Sequence, residues 1–268
     1  MEQTDLHAFL IAAAAVLGLL VGSFLNVCIY RIPRDLSVVI PRSFCPECGA
    51  GIIWYDNVPV LSYLVLGGRC RGCGCSIGLR YPIAEITTAV LFAITVAKYG
   101  WTLAAAKWAI FESIMIVLFW TDLEERILPD ELTLGGTVAG LALSFFVSVP
   151  GEFVPWLWPS LPPIWCSFFN ALLAACILSV PMFLVGWTYA KIRGREGIGL
   201  GDLKLMLLLG AFLGVRDGVA ALLIGSIAGS IIGLAYILIA RKDASTYWLP
   251  FGSFLCLGGA VLPLVGKS

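Results

Sequence analysis

Apolar residues in this chain come in blocks whose lengths approach the ~20 residues that cross a bilayer as one helix. The blocks fall at about 8–30, 82–98, 102–121, 131–149, 165–190, 200–214, 218–240 and 248–265. The sixth is short for a crossing and the fifth is long. Composition fits the pattern. Hydrophobic residues make up 60% of the chain and charged residues 13%, with a mean hydropathy of +0.96. A soluble domain carries about 25% charge. The fold class expected is an all-α polytopic membrane protein of about eight transmembrane helices. The first block reads as a retained span and not as a signal peptide. Acidic Glu2 and Asp5 precede it, a basic segment is missing, and it runs too long. The net charge of zero implies no nucleic-acid partner.

Lys and Arg set the expected orientation. Eight spans place Arg31, Arg34, Arg42, Arg69, Arg71, Arg80, Arg126, Lys191, Arg193, Arg195, Lys204, Arg241 and Lys242 on one side, and Lys98, Lys107, Arg216 and Lys267 on the other. The bias predicts both termini outside and the loops after spans one, three, five and seven in the cytoplasm. Trp54, Trp101, Trp156, Trp158 and Trp248 fall at predicted loops or span ends, as an aromatic belt requires.

The longest polar stretch, 31–81, is expected to be a small cytoplasmic domain between the first span (1–30) and a transmembrane domain (82–268). It carries Cys45-Pro46-Glu47-Cys48 and Cys70-Arg71-Gly72-Cys73. Two C-x-x-C pairs about twenty residues apart have the spacing of a structural zinc site. Gly49 and Gly74 follow the pairs and permit the tight turns. Cys45, Cys48, Cys70 and Cys73 would fill a tetrahedron and leave no open position, so the Zn2+ expected is structural. The competing reading is two disulfides, which suits a reducing cytoplasm poorly. Cys75 is a further thiol able to compete with Cys73. Cys28, Cys166, Cys176 and Cys256 lie in apolar runs and read as packing residues.

Carboxylates at membrane edges are costly and usually functional. Asp122 directly follows the apolar run ending at Trp120, and Asp202 sits in Gly199-Leu200-Gly201-Asp202. Parity of the spans puts both at the cytoplasmic face. The glycines framing Asp202 allow close approach of another backbone. Lys204, two residues on, offers a competing reading in which it merely neutralises Asp202. Glu124 and Glu125 read as a solvated loop or as attractors of a basic substrate segment. Asp130, after Pro129, reads as the N-cap of the fourth span.

These residues, taken in order, resemble the bacterial type IV prepilin peptidases. The resemblance rests on Gly22-Ser23-Phe24-Leu25-Asn26-Val27 with Arg31-Ile32-Pro33, and on the four cysteines. It extends through Trp54-Tyr55-Asp56-Asn57-Val58-Pro59, Leu61-Ser62-Tyr63, and Arg80-Tyr81-Pro82 leading to Glu85. It continues with Thr121-Asp122-Leu123 through Leu128-Pro129-Asp130, and with Gly199 to Lys204, which has the GxGD form shared with presenilin-type proteases. The Pro- and Trp-rich segment 150–164 is longer than such proteins usually have, which bears on partners more than on chemistry.

The resemblance implies a membrane aspartyl endopeptidase of the bacterial inner membrane, with Asp122 and Asp202 as catalytic pair. Its substrates would be prepilins or pseudopilins, cut at the cytoplasmic face. It also implies N-methylation of the new amino terminus with S-adenosylmethionine as donor, associated with Gly22, Ser23, Asn26 and Arg31. Composition and spacing do not show methylation, and there is no Rossmann fingerprint. Two further readings stand beside it. One is a peptidase without methyltransferase activity, against which the cysteine loop argues. The other is a transporter with cation-binding carboxylates. Gly225, Gly229 and Gly233 suit a pore or close packing, and their four-residue spacing favours packing. The discriminating observation is whether Asp122 and Asp202 meet.

Overall fold

A computed structural model of the chain describes residues 3–151, 153–194, 199–240 and 250–265. Arg195, Arg241, Lys242 and Lys267 of the charge pattern, Trp248 of the aromatic belt, and Glu2 lie outside the described residues. Among the described residues all regular structure is helical, apart from two isolated β-bridges. The helices are α1 (Gln3–Arg31), α2 (Leu61–Val65), α3 (Arg80–Tyr99), α4 (Leu103–Glu125), α5 (Asp130–Leu143), α6 (Phe153–Leu157), α7 (Pro163–Arg193), α8 (Leu200–Ala240) and α9 (Phe251–Val265).

The expected eight crossings are not confirmed. Five helical segments are long and apolar enough to span a membrane: Thr4–Arg34, Arg80–Tyr99, Leu103–Glu125, Pro163–Arg193 and Leu200–Ile239. Three features account for the difference. The block 131–149 is helical only over the 14 residues of α5, roughly 21 Å at 1.5 Å per residue. The blocks 200–214 and 218–240 form one helical run, interrupted where Gly214 takes φ 80° and ψ −177°. A Cβ at Gly214 would lie 2.7 Å from the Pro150 carbonyl oxygen, so the break needs glycine. The last block gives α9, of only 15 described residues.

The chain divides into two compact units, Met1–Val117 and Leu118–Ser268, with the division falling inside α4. In the first unit α1 packs on α3. Gly18 and Gly22, one helical turn apart on α1, bring the backbones together. A Cβ on Gly18 would lie 2.6 Å from Ala89 Cα, and one on Gly22 2.7 Å from Glu85 Cα. Small residues at four-residue spacing are how membrane helices maximise van der Waals contact where lipid is as apolar as leucine. Lys107 is one of the charges expected on the outer side. It lies inside α4, wholly buried, with Nζ 4.9 Å over the Trp108 ring. Nearby on α4, Glu112 accepts a 2.6 Å hydrogen bond from Thr95 Oγ1.

In the second unit α8 is central, packing on α5, α7 and α9. Leu205, Met206, Leu208, Leu209 and Phe212 are buried there. A Cβ on Gly210 would lie 2.5 Å from Ala175 Cα of α7. Gly225 and Gly229 face α9, where added Cβ atoms would meet Leu255 Cα at 2.9 Å and the Phe254 ring at 3.0 Å. The glycine spacing there serves packing. The segment after α5 is pinned to α7: Ser167 Oγ donates to Ser144 O at 2.6 Å and accepts from Val149 N at 2.9 Å.

Candidate functional site

Two constellations emerge, one in each unit. In the second unit, Asp122 stands in the last turn of α4 and is only 6% exposed. Its Oδ2 accepts from the Ser253 amide at 2.6 Å and from Ser253 Oγ at 2.8 Å. Ser253 belongs to the first turn of α9, and its hydroxyl also lies 3.0 Å from the Phe119 carbonyl. Gly252 leaves room for this arrangement, because a Cβ there would lie 3.1 Å from both Cγ and Oδ2 of Asp122.

Asp202 stands half-buried in the first turn of α8, its amide donating to Gly199 O at 3.2 Å. The Asp122 carboxylate is near enough that its charge is felt at Asp202. Leu128 lies against both surroundings. Its side chain would meet a Cβ on Gly201 at 3.2 Å and one on Gly252 at 2.9 Å. The structure thus brings the two aspartates into one site, from helices that are far apart in sequence.

One competing reading is set aside here and one expectation is corrected. Lys204 does not neutralise Asp202. Its ammonium donates to both oxygens of Asp130, at 2.6 and 2.8 Å. Asp130 is also not an N-cap. Pro129 holds that position with no side-chain cap, and Asp130 is the first helical residue, 58% exposed at its side chain. Glu124 and Glu125 end α4, the first exposed and the second half-buried. Ser253, Gly252 and Leu128 were not among the sequence candidates. The available signal was a hydroxyl after glycine, Phe251-Gly252-Ser253, in an otherwise apolar block.

In the first unit the four cysteines converge. Single Sγ atoms of Cys45, Cys48, Cys70 and Cys73 all lie within 4.8 Å of one another, a group that can hold a metal ion. Tetrahedral zinc with Zn–S bonds of about 2.3 Å has edges of about 3.8 Å, and Cys45 and Cys73 are 3.9 Å apart. The two knuckles repeat one hydrogen-bond pattern. Gly49 N donates to Cys45 O and Cys45 N to Ala50 O, just as Gly74 N donates to Cys70 O and Cys70 N to Cys75 O. Gly49 and Gly74 take φ 69° and 72°, the left-handed turns that their positions after each pair required.

Amides inside each knuckle point at the leading sulfur. The Cys48 N–H pushes the Cys45 thiol down to about 6, with Glu47 N–H assisting against burial. The N–H groups of Cys73 and Gly72 likewise hold Cys70 below the ordinary thiol range. Four thiolates this close repel one another, and a divalent cation is the counter-charge that lets all ionise together. The donor set therefore fits zinc. Cys75 remains a close fifth thiol, 3.6 Å from Cys45, at the knuckle position that Ala50 occupies in the first pair.

Between the knuckles and helices α1 and α3 lies a cavity of about 420 Å³. It gathers Ser23, Asn26, Arg31 and Glu85 along its walls. Arg31 is 4% exposed, and its guanidinium donates to Ser37 O at 2.8 Å and Arg42 O at 3.2 Å. Its first role is to fasten the loop to α1. Gly22 does not line the cavity but seats α1 on α3 beside it. Across the loop, Arg71 grips Asp56 through Nε and a terminal nitrogen at 2.8 and 2.7 Å.

Residues 16–99 match the model of the bacterial peptidase A24 N-terminal domain, and residues 109–234 match that of the type IV leader peptidase family. Three relatives are each named prepilin leader peptidase/N-methyltransferase. A protein of Myxococcus xanthus is 41% identical over 226 residues, covering 83% of this chain and 62% of that protein. One of Pseudomonas putida is 33% identical, covering 97% of this chain and 92% of its own length. One of Aeromonas hydrophila is 34% identical, covering 94% and 89%. No solved structure matches the chain.

Proposed function

Because this chain belongs to the type IV leader peptidase family, we propose that it removes the leader peptide of prepilins or pseudopilins with Asp122 and Asp202, and N-methylates the new amino terminus. The observation that supports the peptidase assignment is the approach of the carboxylates of α4 and α8, with Asp122 fixed by Ser253 and Asp202 within reach of its charge. Carboxylates so placed do not both ionise comfortably, so they share a proton. The ionised member takes a proton from water as that water attacks the scissile carbonyl. The protonated member donates toward the carbonyl oxygen as it gains charge. Collapse of the tetrahedral species returns a proton to the leaving amine. Ser253 holds Asp122 in place through this cycle. A transporter reading loses support, since Gly210, Gly225 and Gly229 of α8 are closed off by α7 and α9.

Methylation rests on the relatives' names and on the fit of the first unit. When bound, S-adenosylmethionine supplies an electrophilic methyl group: the amine lone pair forms the new N–C bond, the C–S pair leaves with sulfur, and the product ammonium gives one proton to water. Zinc at Cys45, Cys48, Cys70 and Cys73 holds the loop and takes no part in either reaction, because four thiolates leave it no open position. In this reading the chain is a multi-pass inner-membrane protein, with residues 31–81 as the zinc domain and 82–268 as the peptidase spans. The Lys and Arg distribution supports a cytoplasmic zinc loop and dyad with both termini outside.

The test is leader cleavage of a purified prepilin by full-length enzyme. Asp122→Asn and Asp202→Asn should each lose cleavage by more than about a thousandfold, the scale at which removing an essential group shows. Asp130→Asn should stay within a few fold, since Asp130 is exposed and paired with Lys204. Substantial activity in either dyad variant sinks the assignment.

A further inference from the structure

The cavity of the first unit has three features that point to the same kind of ligand. The first is size. About 420 Å³ is within the range of small-molecule sites, roughly 300–1,000 Å³, and matches one nucleoside with an amino-acid tail. The second is an unanswered acceptor. Asn26 is 3% exposed, its Nδ2 donates to Tyr81 O at 3.1 Å, and its Oδ1 has no hydrogen-bond partner. A buried carbonyl oxygen left this way costs the desolvation of that group, unless something occupies the space in front of it. The third is a carboxylate held by neutral groups. Glu85 is 7% exposed, accepts from the Val60 amide at 2.7 Å, and is hydrogen-bonded by Ser23.

An orphan amide oxygen and a carboxylate with neutral partners, walled by aromatic rings, make a seat for positive charge. Burying a cation needs such acceptors, and the faces of Tyr and Phe rings add to them. Tyr30, Tyr63, Tyr81 and Phe44 line the same cavity and offer flat apolar surface for a purine. The basic side chains on the wall do not oppose this. Arg71 is engaged by Asp56, and Arg31 by two loop carbonyls. Arg31 has five N–H donors in all, so its guanidinium retains capacity for a carboxylate.

We propose that this cavity is the seat of the methyl donor, with Asn26 and Glu85 holding the sulfonium end and Arg31 facing the carboxylate of the amino-acid tail. The site rests on the methyltransferase reading given above and adds to it the residues that recognise charge. It also explains the construction of the loop. The zinc knuckles and the Arg31 contacts form a lid of fixed backbone over α1 and α3. The Val60 turn, with φ 60° at a β-branched residue, is fastened to Glu85 through its amide.

The experiment compares two ligands that differ by one charge. Full-length zinc-loaded enzyme in nanodiscs is titrated with S-adenosylmethionine, which carries the sulfonium, and with S-adenosylhomocysteine, which has a neutral thioether. Asn26→Leu and Glu85→Gln should each weaken S-adenosylmethionine at least tenfold and S-adenosylhomocysteine by less than threefold. Val27→Trp leaves every polar group in place and fills the cavity from an α1 wall position, so it should weaken both ligands equally and strongly. Zinc content reports folding in each variant. Equal loss of both ligands in the Asn26 and Glu85 variants overturns the sulfonium seat. Wild-type affinities in Val27→Trp overturn the cavity itself, while methylation by the wild type keeps the methyltransferase reading intact. A wild type that cleaves prepilin but neither binds nor methylates removes that reading, and this site with it.

Discussion

Replacing Ser253 by alanine removes one of two hydrogen bonds that fix the Asp122 carboxylate. The Ser253 amide at 2.6 Å stays, and the hydroxyl at 2.8 Å goes. Hydrogen bonds to charged groups are worth ~1.5–3 kcal/mol. The hydroxyl has one proton and two acceptors, Asp122 Oδ2 and the Phe119 carbonyl at 3.0 Å, so its effect on Asp122 lies at the lower end, about 1–2 kcal/mol. If that bond positions the carboxylate for reaction, kcat falls ~5- to 30-fold at 1.36 kcal/mol per decade, with KM nearly unchanged. The assay is steady-state leader cleavage at saturating prepilin, with the melting temperature followed in parallel. Ser253→Thr keeps the hydroxyl and should recover most of kcat, although the added methyl at a 1% exposed site lowers the melting temperature. A purely structural serine gives the reverse pattern. If Ser253→Ala melts earlier but turns over at the wild-type rate, the positioning argument is refuted.

Two other outcomes follow from the geometry. Gly252→Ala puts a methyl group 2.9 Å from Leu128 Cδ1 and 3.1 Å from the Asp122 carboxyl. It should therefore lower kcat by about tenfold or more, through a shift of order 1 Å at the reacting group; unchanged turnover would mean that Leu128 absorbs the strain alone. Purified enzyme should carry one zinc per chain by metal analysis. Cys45→Ser, Cys48→Ser, Cys70→Ser and Cys73→Ser should each lose it, while Cys75→Ser keeps it. Loss in the Cys75 variant would exchange the ligand set.

Features encoded by local spacing were legible in the chain. The cysteine knuckles need only a few consecutive residues, and their glycines adopted the positive φ that such turns demand. Helix positions followed the apolar blocks for the same reason. The number of crossings did not, because the Gly214 break depends on what the backbone meets, here the Pro150 carbonyl. Side-chain partners chosen across long separations were hidden. Lys204 lies two residues from Asp202, yet its ammonium reaches Asp130, 74 positions away. Ser253 reaches Asp122 across 131. The cavity, too, was visible only as a scatter of Ser23, Asn26 and Arg31 until the loop closed over them.

The contact of α1 with α3 at Gly18 and Gly22 sets a dimension by the thickness of the polypeptide backbone itself. The two glycines have no rotamer to lose or regain, and the Thr88 side chain that also meets Gly22 is held by its hydrogen bond to Ala84 O. Asn26 lies one helical turn beyond Gly22, and Glu85 is the residue whose Cα Gly22 faces. The floor of the cavity is therefore gauged by the close approach of the α1 and α3 backbones. Warming or cooling changes the fluidity and thickness of the surrounding bilayer far more than it changes such a gauge. The proposed donor cavity would therefore keep the spacing of Asn26 and Glu85 while the membrane around it thins and thickens with growth temperature.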